Sequence, residues 1–210
     1  MTLRLITFDL DHTLWDPTDA LIAAEQAMFG WINEHSPVTA SFYPPEKFHA
    51  YKKDLAAAYP ELTGKVSEFR FQLLRRIFLQ SGHDSDTARR MAQDAFAAFY
   101  QARSTGLTLF ENVADVMAEL KESYTLIALT NGNADLDIAG HTHMFERHLK
   151  ADDYAAKPSP DMFEAALQHA GVEPRQALHI GDHPEQDVAA ARAVGMTTLW
   201  FNDKEADWPL

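Results

Sequence analysis

Short apolar runs of strand length alternate along this chain with longer stretches in which apolar positions recur every three or four residues. That change of period is the first signal of fold. "LRLITF" (3–8), "YTLIALT" (124–130) and "QALHIGD" (176–182) are such runs, and "TTLWF" (197–201) is a further one. Near-continuous apolar runs are carried by strands buried on both faces of a parallel sheet. In the C-terminal half, helical periodicity follows the runs. "PSPDMFEAALQHAG" has proline in its first turn, acidic residues beside it and Gly171 at its end, and "PEQDVAAARAVG" follows the same plan and closes at Gly195. The alternation predicts an α/β fold built on a doubly wound parallel sheet, in which ligands bind beyond the carboxyl ends of the strands.

Residues 16–105 break the alternation. They predict helices at 18–34, 45–58, 64–81 and 84–104, with "EHSPVTASFYPP" as a loop, so a helical insert (16–105) separates the first strand from the rest of a core at 1–15 and 106–210. In the helix over 64–81 the apolar stripe runs through Val66, Phe69, Leu73, Leu74, Ile77 and Phe78, with Arg75 and Arg76 off to its sides. Arg70 falls inside the stripe. A charge there is costly unless paired. Arg70 therefore either meets a carboxylate or reaches a cleft to bind an anionic or planar part of a substrate.

Apolar residues make up 46% of the 210, enough for a sizeable core. The formal charge of −13 argues against nonspecific nucleic-acid or anionic-membrane binding, and an anionic substrate would need locally placed cations. Without cysteine there is no disulfide and no thiolate site, which fits the cytoplasm. The start "MTLRLITFD" carries no signal-peptide apolar region, and no run approaches the ~20 residues of a membrane helix. A cytoplasmic protein, monomeric or weakly dimeric, is the expectation.

Chemistry gathers at the carboxyl ends of the strands. After the first come Asp9, Asp11 and Thr13; after the second, Thr130, Asn131 and Gly132; ahead of "PSPDMF" stands Lys157; after "ALHI" come Gly181, Asp182 and Asp187. Asp9 and Asp11, two apart at a strand end, point to the same side and repel one another. They can share a site only beside a cation. A hard divalent ion with oxygen ligands, Mg²⁺ foremost, supplies that, together with the ammonium of Lys157. Metal, ammonium and the Thr130 hydroxyl around a carboxylate make a cradle for phosphoryl oxygens. Asp187 also reads as a first-turn acid favoured by a helix dipole. His183 reads as a turn residue in preference to one that fringes the metal site. His141 and His143 have the spacing of a metal pair on a strand, yet lie in an apparent loop. Trp15 reads as packing between insert and core, or as a platform for substrate.

The segments "DLDHT", "LTNG", "KPSPDMF" and "GDHPEQD" resemble, in order and spacing, the four motifs of the haloacid dehalogenase superfamily, and the resemblance spans the whole chain. It implies a helical cap after the first motif, opening and closing about hinges near 14–18 and 104–109. It implies that Asp9 is a nucleophile that takes the phosphoryl group as an aspartyl-phosphate, and that Asp11 protonates the leaving alcohol and then activates water. Thr130, with Asn131 beside it, would bind phosphate oxygens, and Lys157 would pair with nucleophile and phosphate. Asp182 would hold Mg²⁺ with Asp9 and the carbonyl of Asp11, while Thr13, Gly181 and Asp187 support from behind. Dehalogenases of the superfamily lack an acid two after the nucleophile, so Asp11 favours phosphate-ester hydrolysis. "LTNGNA" and "KPSPDMF" further resemble a subgroup acting on flavin mononucleotide or related ribityl phosphates, overlapping with phosphoglycolate and nucleoside-monophosphate phosphatases. A 2-haloacid dehalogenase, a phosphomutase and a noncatalytic phosphate-binding protein are the rival expectations.

Overall fold

The computed structural model describes residues 2–202 and 207–209; the remaining residues of the stretches assigned above to the core lie outside the described residues. The chain divides into two compact units, Met1–Pro17 with Leu107–Leu210, and Thr18–Gly106.

In the first unit the strands β1 (Leu5–Phe8), β2 (Thr125–Thr130), β3 (Arg147–Lys150), β4 (Ala177–Gly181) and β5 (Thr197–Trp200) form one parallel sheet ordered β3-β2-β1-β4-β5. β1 is central and wholly buried, as its unbroken apolar run requires. Its neighbours β2 and β4 come from later in the chain on either side, so the strand order reverses at β1, and an open α/β sheet leaves a crevice at that switch point. Phe8 lies level with Ala128 and Ile180. That register delivers Asp9, Thr130 and Gly181 to one edge of the sheet.

β3 was not expected from the sequence pattern. It is an edge strand, "RHLK", with Leu149 its one fully buried side chain, so it lacks the apolar run that betrays a central strand. The helix after Lys157 starts at Asp161 rather than at its prolines: Pro160 is the residue before the first turn, and Gly171 closes the helix at φ 61°. The run after Asp182 is not one regular helix. It is a π-helical segment, Pro184–Ala189, followed by a single α-helical turn, Ala190–Ala193. Among the described residues no helix is long and apolar enough to cross a membrane.

The second unit is all helical: α1 (Thr18–His35), α2 (Pro37–Phe42), α3 (Pro45–Ala58), α4 (Val66–Gln80) and α5 (Ser85–Thr105). α2 occupies part of the segment read as loop. It is one of the short helices, with Pro37 at its first position, where a missing N–H costs nothing. α1 and α5 pack against one another, and Ala24 of α1 shares a buried cluster with Ala88, Ala92 and Ala95 of α5, small side chains that let the backbones approach. Leu73, Leu74, Ile77 and Phe78 of α4 are fully buried, worth roughly 1.5–3 kcal/mol each. Val66, at the helix start, is 40% exposed and does not belong to the stripe. Asp84 caps α5, its Oδ1 accepting from the N–H groups of Asp86 and Thr87 at 3.0 Å.

Candidate active site

Asp9 follows β1 and is only 7% exposed. A carboxylate this dry needs a partner, and Lys157, 3% exposed, donates from Nζ to Asp9 Oδ1 at 2.7 Å, to Asp187 Oδ1 at 2.5 Å and to the Leu129 carbonyl at 2.9 Å. All three ammonium protons are thereby directed. Behind Asp187 stands His179 of β4, its Nε2 3.2 Å from Asp187 Oδ1 and its Nδ1 2.8 Å from the Thr7 hydroxyl. Asp187 Oδ2 accepts from the His183 N–H at 2.9 Å. A continuous polar line thus runs from Thr7 through His179, Asp187 and Lys157 to Asp9.

Burial dominates the electrostatics. It pushes the Asp9 carboxyl up to about 8, with Lys157 pulling the other way. Burial also opposes the charges on Lys157 and Asp187, but mutual attraction outweighs it: Asp9 and Asp187 hold the ammonium above its usual range, and Lys157 and His179 hold Asp187 below the usual carboxylate range. Burial lowers the His179 imidazole against the opposing pull of Asp187. Asp182, half-buried, is raised by desolvation and by the charge of Asp187.

Asp11 is placed by a tight return of the chain. His12 takes a left-handed conformation (φ 62°) and its N–H donates to the Trp15 carbonyl at 2.8 Å. A non-glycine residue there is strained, by about 1–3 kcal/mol. The turn carries the Trp15 indole back over Asp11, where Nε1 donates to Asp11 Oδ1 at 2.8 Å. The other oxygen faces Gly132: a Cβ on that glycine would stand 2.8 Å from Asp11 Oδ2 and 3.2 Å from Thr130 Oγ1. The Thr130 hydroxyl accepts from the Gly132 N–H at 2.9 Å, which leaves its own proton to donate. Thr13 reaches Asp9 Oδ2 at a long 3.5 Å.

Oxygen atoms of Asp9, Asp182 and Asp187 lie within 4.8 Å of one another. An all-carboxylate set without histidine or thiolate fits a hard divalent cation such as Mg²⁺. Because Asp187 already accepts from Lys157 and His183, Asp9 and Asp182 are the two carboxylates suited to hold it.

Several expectations need correction. Asn131 does not present its amide to a substrate. Its Nδ2 donates to the Lys157 carbonyl (2.8 Å) and to Gln186 Oε1 (2.9 Å), and its Oδ1 accepts from the Lys157 N–H (2.8 Å), so both donors are engaged and one of them, with Oδ1, clamps the lysine's backbone. His183 is a cap, its Nδ1 accepting from the N–H groups of Glu185 and Gln186. His141 precedes the 3₁₀ turn Thr142–Met144 and His143 lies within it, so both sit in a connection between elements, as their loop reading expected. His141 stacks on Trp15 at 5.9 Å, and neither histidine joins a carboxylate cluster among the described residues. In the helical unit the Arg70 guanidinium sits 3.6 Å over the Phe99 ring with Glu25 4.0 Å away, while its Nη1 is buried without a hydrogen bond. That is the paired alternative. Burial lowers the group to about 10, Glu25 opposing. His179 and Gln186 went unnoticed in the sequence; a histidine inside the otherwise apolar "ALHIG" was the visible signal for the first.

The haloacid dehalogenase-like hydrolase family matches residues 3–195. The chain belongs to that family. A curated relative, the 5-amino-6-(5-phospho-D-ribitylamino)uracil phosphatase YigB of Escherichia coli (strain K12), is 29% identical over 203 residues, covering 96% of this chain and 84% of that one. The phosphoserine phosphatase of Thermus thermophilus is 28% identical, covering 95% and 89%. The crystal structure of a 2-haloacid dehalogenase from Pseudomonas syringae pv. Tomato DC3000 superposes with a TM-score of 0.92 at 34% identity, covering 100% of this chain and 90% of that one.

One residue of this haloacid dehalogenase-like hydrolase tests how closely the site is packed. A Cβ added to Gly181 would lie 2.6 Å from both Cβ and Oδ2 of Asp187, so the carboxylate and the lysine it holds must shift. Gly181→Ala is expected to lower turnover by about 10²-fold, the scale of an ångström-sized misplacement. Overpacking should also cost about 1–3 kcal/mol of stability. Initial rates and a thermal melt check both, and wild-type turnover would show that Asp187 can move without consequence.

Proposed function

We propose that the enzyme is a Mg²⁺-dependent phosphatase that hydrolyses a small-molecule phosphate monoester through an aspartyl-phosphate on Asp9. The observation that carries this is the presence of a second carboxylate, Asp11, beside a nucleophile-grade Asp9 whose Oδ1 is held by Lys157. A carboxylate oxygen of Asp9 attacks phosphorus, the phosphorus–oxygen bond to the alcohol breaks, and the proton on Asp11 passes to the departing oxygen. Asp11, now a carboxylate, takes a proton from the water that attacks phosphorus. The bond to Asp9 breaks, inorganic phosphate leaves, and both aspartates return to their starting state. Lys157 balances negative charge on Asp9 and on the phosphoryl oxygens, and the Thr130 hydroxyl donates to one of those oxygens. A divalent cation bound by Asp9, Asp182 and the Asp11 carbonyl would draw charge from the phosphoryl group and keep Asp9 ionised. Asp187, His179 and Asn131 hold Lys157 in place.

The likeness to the Escherichia coli enzyme supports a ribityl phosphate as the substrate; flavin mononucleotide follows from the motif resemblance, with phosphoglycolate and nucleoside monophosphates as competitors. A 2-haloacid dehalogenase is the second reading, favoured by the likeness to the Pseudomonas syringae dehalogenase structure at 34% identity. Asp11 speaks against it, since displacement of halide needs no proton for its leaving group. The test is phosphate release from p-nitrophenyl phosphate with Mg²⁺ and with EDTA, run beside halide release from 2-chloropropionate. Magnesium-dependent phosphate release with no halide is expected. Halide release without phosphate would replace this reading with the second.

A further inference from the structure

We infer that Trp15 is a positioning residue for proton transfer: its indole N–H holds the Asp11 carboxyl so that the proton it exchanges with the substrate sits on Oδ2, beside Thr130. The inference rests on the phosphatase reading above and deepens it by assigning the orientation of the acid.

Three observations carry it. Trp15 is 0% exposed, and its Nε1, a group that can only donate, lies 2.8 Å from Asp11 Oδ1. A buried indole N–H without an acceptor would be costly, so the pair is mutually enforced. Next, the indole cannot swing away. Its backbone carbonyl accepts from the His12 N–H, the residue pairs in a β-bridge with Leu109, and its ring stacks at 25° on His141, whose Nε2 is 3.3 Å from the Leu107 carbonyl. Finally, Gly132 leaves room on the opposite side of the carboxyl. The point where its Cβ would stand is 2.8 Å from Asp11 Oδ2 and 3.2 Å from Thr130 Oγ1, so those two oxygens face one small space.

The chemistry follows from the donor. An oxygen that accepts a short bond from an N–H is the poorer place for a proton, so in the step of the proposed cycle where Asp11 carries a proton, the indole directs it to Oδ2. That is the oxygen that shares its space with the hydroxyl assigned to the phosphoryl group. With the carboxyl free to rotate, half of its protonated arrangements would aim the hydrogen at the indole, and proton transfer would wait on a turn of the side chain. His12 in its strained conformation is what lets Trp15 fold back this far. The strain therefore has a use.

The test exploits leaving-group dependence, which a merely structural loss does not alter. kcat/KM reports the steps up to departure of the alcohol, and proton donation matters most for poor leaving groups. We would measure kcat/KM for 2,4-dinitrophenyl, p-nitrophenyl and phenyl phosphates with the Mg²⁺-loaded wild type, Trp15→Phe and Asp11→Asn. Should Trp15→Phe lose its fold by thermal melt, β-(3-benzothienyl)alanine placed at position 15 keeps the ring shape and lacks the N–H. The expected result is a steeper dependence on leaving group, shared in direction by Asp11→Asn, with phenyl phosphate falling at least tenfold more than 2,4-dinitrophenyl phosphate. An equal loss on all three esters, or no loss, overturns the positioning role while leaving the phosphatase reading intact. No release by the wild type from any ester removes the phosphatase reading, and this inference with it.

Discussion

Asp9→Asn will lower phosphate release by at least about 10⁴-fold and, in the metal-free protein, will raise the thermal midpoint. The first effect follows from the proposed role of Asp9 as nucleophile, for which removals of a comparable group set the scale. The second follows from burial. The Asp9 carboxyl is raised from 3.8 to about 8, with desolvation the largest cause and Lys157 opposing it. An acid whose folded value exceeds its unfolded one binds more protons when folded, so stability falls as pH climbs through the interval between the two values. Metal-free wild type should therefore lose stability from about pH 4 to about pH 8, and the Asn variant should not share that loss. Differential scanning fluorimetry in EDTA at pH 5 and pH 8 measures it. A gain of about 1–3 kcal/mol at pH 8 corresponds to roughly 2–12 °C for a chain of this length. On the proposed Mg²⁺ site, the ion should stabilise the wild type more than the variant, because an ion held only by the folded site would favour folding and the variant would lack one of its charged ligands. A variant no more stable than wild type at pH 8 would mean that Lys157 alone compensates the buried charge.

Lys157→Met is expected to cause the largest loss of stability. It leaves Asp9 and Asp187, 7% and 1% exposed, facing each other without their cation. Removing one partner of a buried ion pair costs about 3–5 kcal/mol, which is about 6–20 °C in the melt. The pH signature is distinctive. Asp187 is held below its ordinary 3.8, so its contribution is present above that value and lost as pH falls through the lower one. Lys157 is held above its ordinary 10.5, so its contribution is present below that value and lost as pH rises through the higher one. The wild type should keep this part of its stability between those limits, and Lys157→Met should lose it throughout. Adding Asp187→Asn to Lys157→Met should restore a part, since the buried carboxylate left without its ammonium is removed, and the double-mutant cycle measures how much. A melt unchanged in Lys157→Met would show that the cluster does not stabilise the fold.

Much of the site could be read from the chain because the relevant signals are local. An apolar run ending in Asp9-x-Asp11, another ending in Thr130, and a third ending in Gly181-Asp182 each announce a strand and what it presents at its carboxyl end. The strands that carry those residues form as expected, since a run buried on both faces needs no partner information to be recognised. β3 escaped notice for the converse reason: an edge strand takes its hydrogen bonds from β2, and a single buried leucine cannot encode that pairing. Val66 shows the same limit in the helical unit, where periodicity places a residue on a face but does not say where the neighbouring helix ends.

Residue types and spacing by themselves determined the parallel sheet, the interruption by helices and the choice of carboxylates, ammonium and hydroxyl, because these depend on period and on the chemistry of side chains. Tertiary structure decided how those groups are held. Asn131 clamps the backbone of Lys157 from 26 residues away, His179 backs Asp187 across 8, and Trp15 reaches Asp11 only because His12 turns left-handed. Hydrogen bonds of this kind depend on direction and on burial at the ångström scale, and neither quantity exists until the strands have brought distant residues to one edge of the sheet.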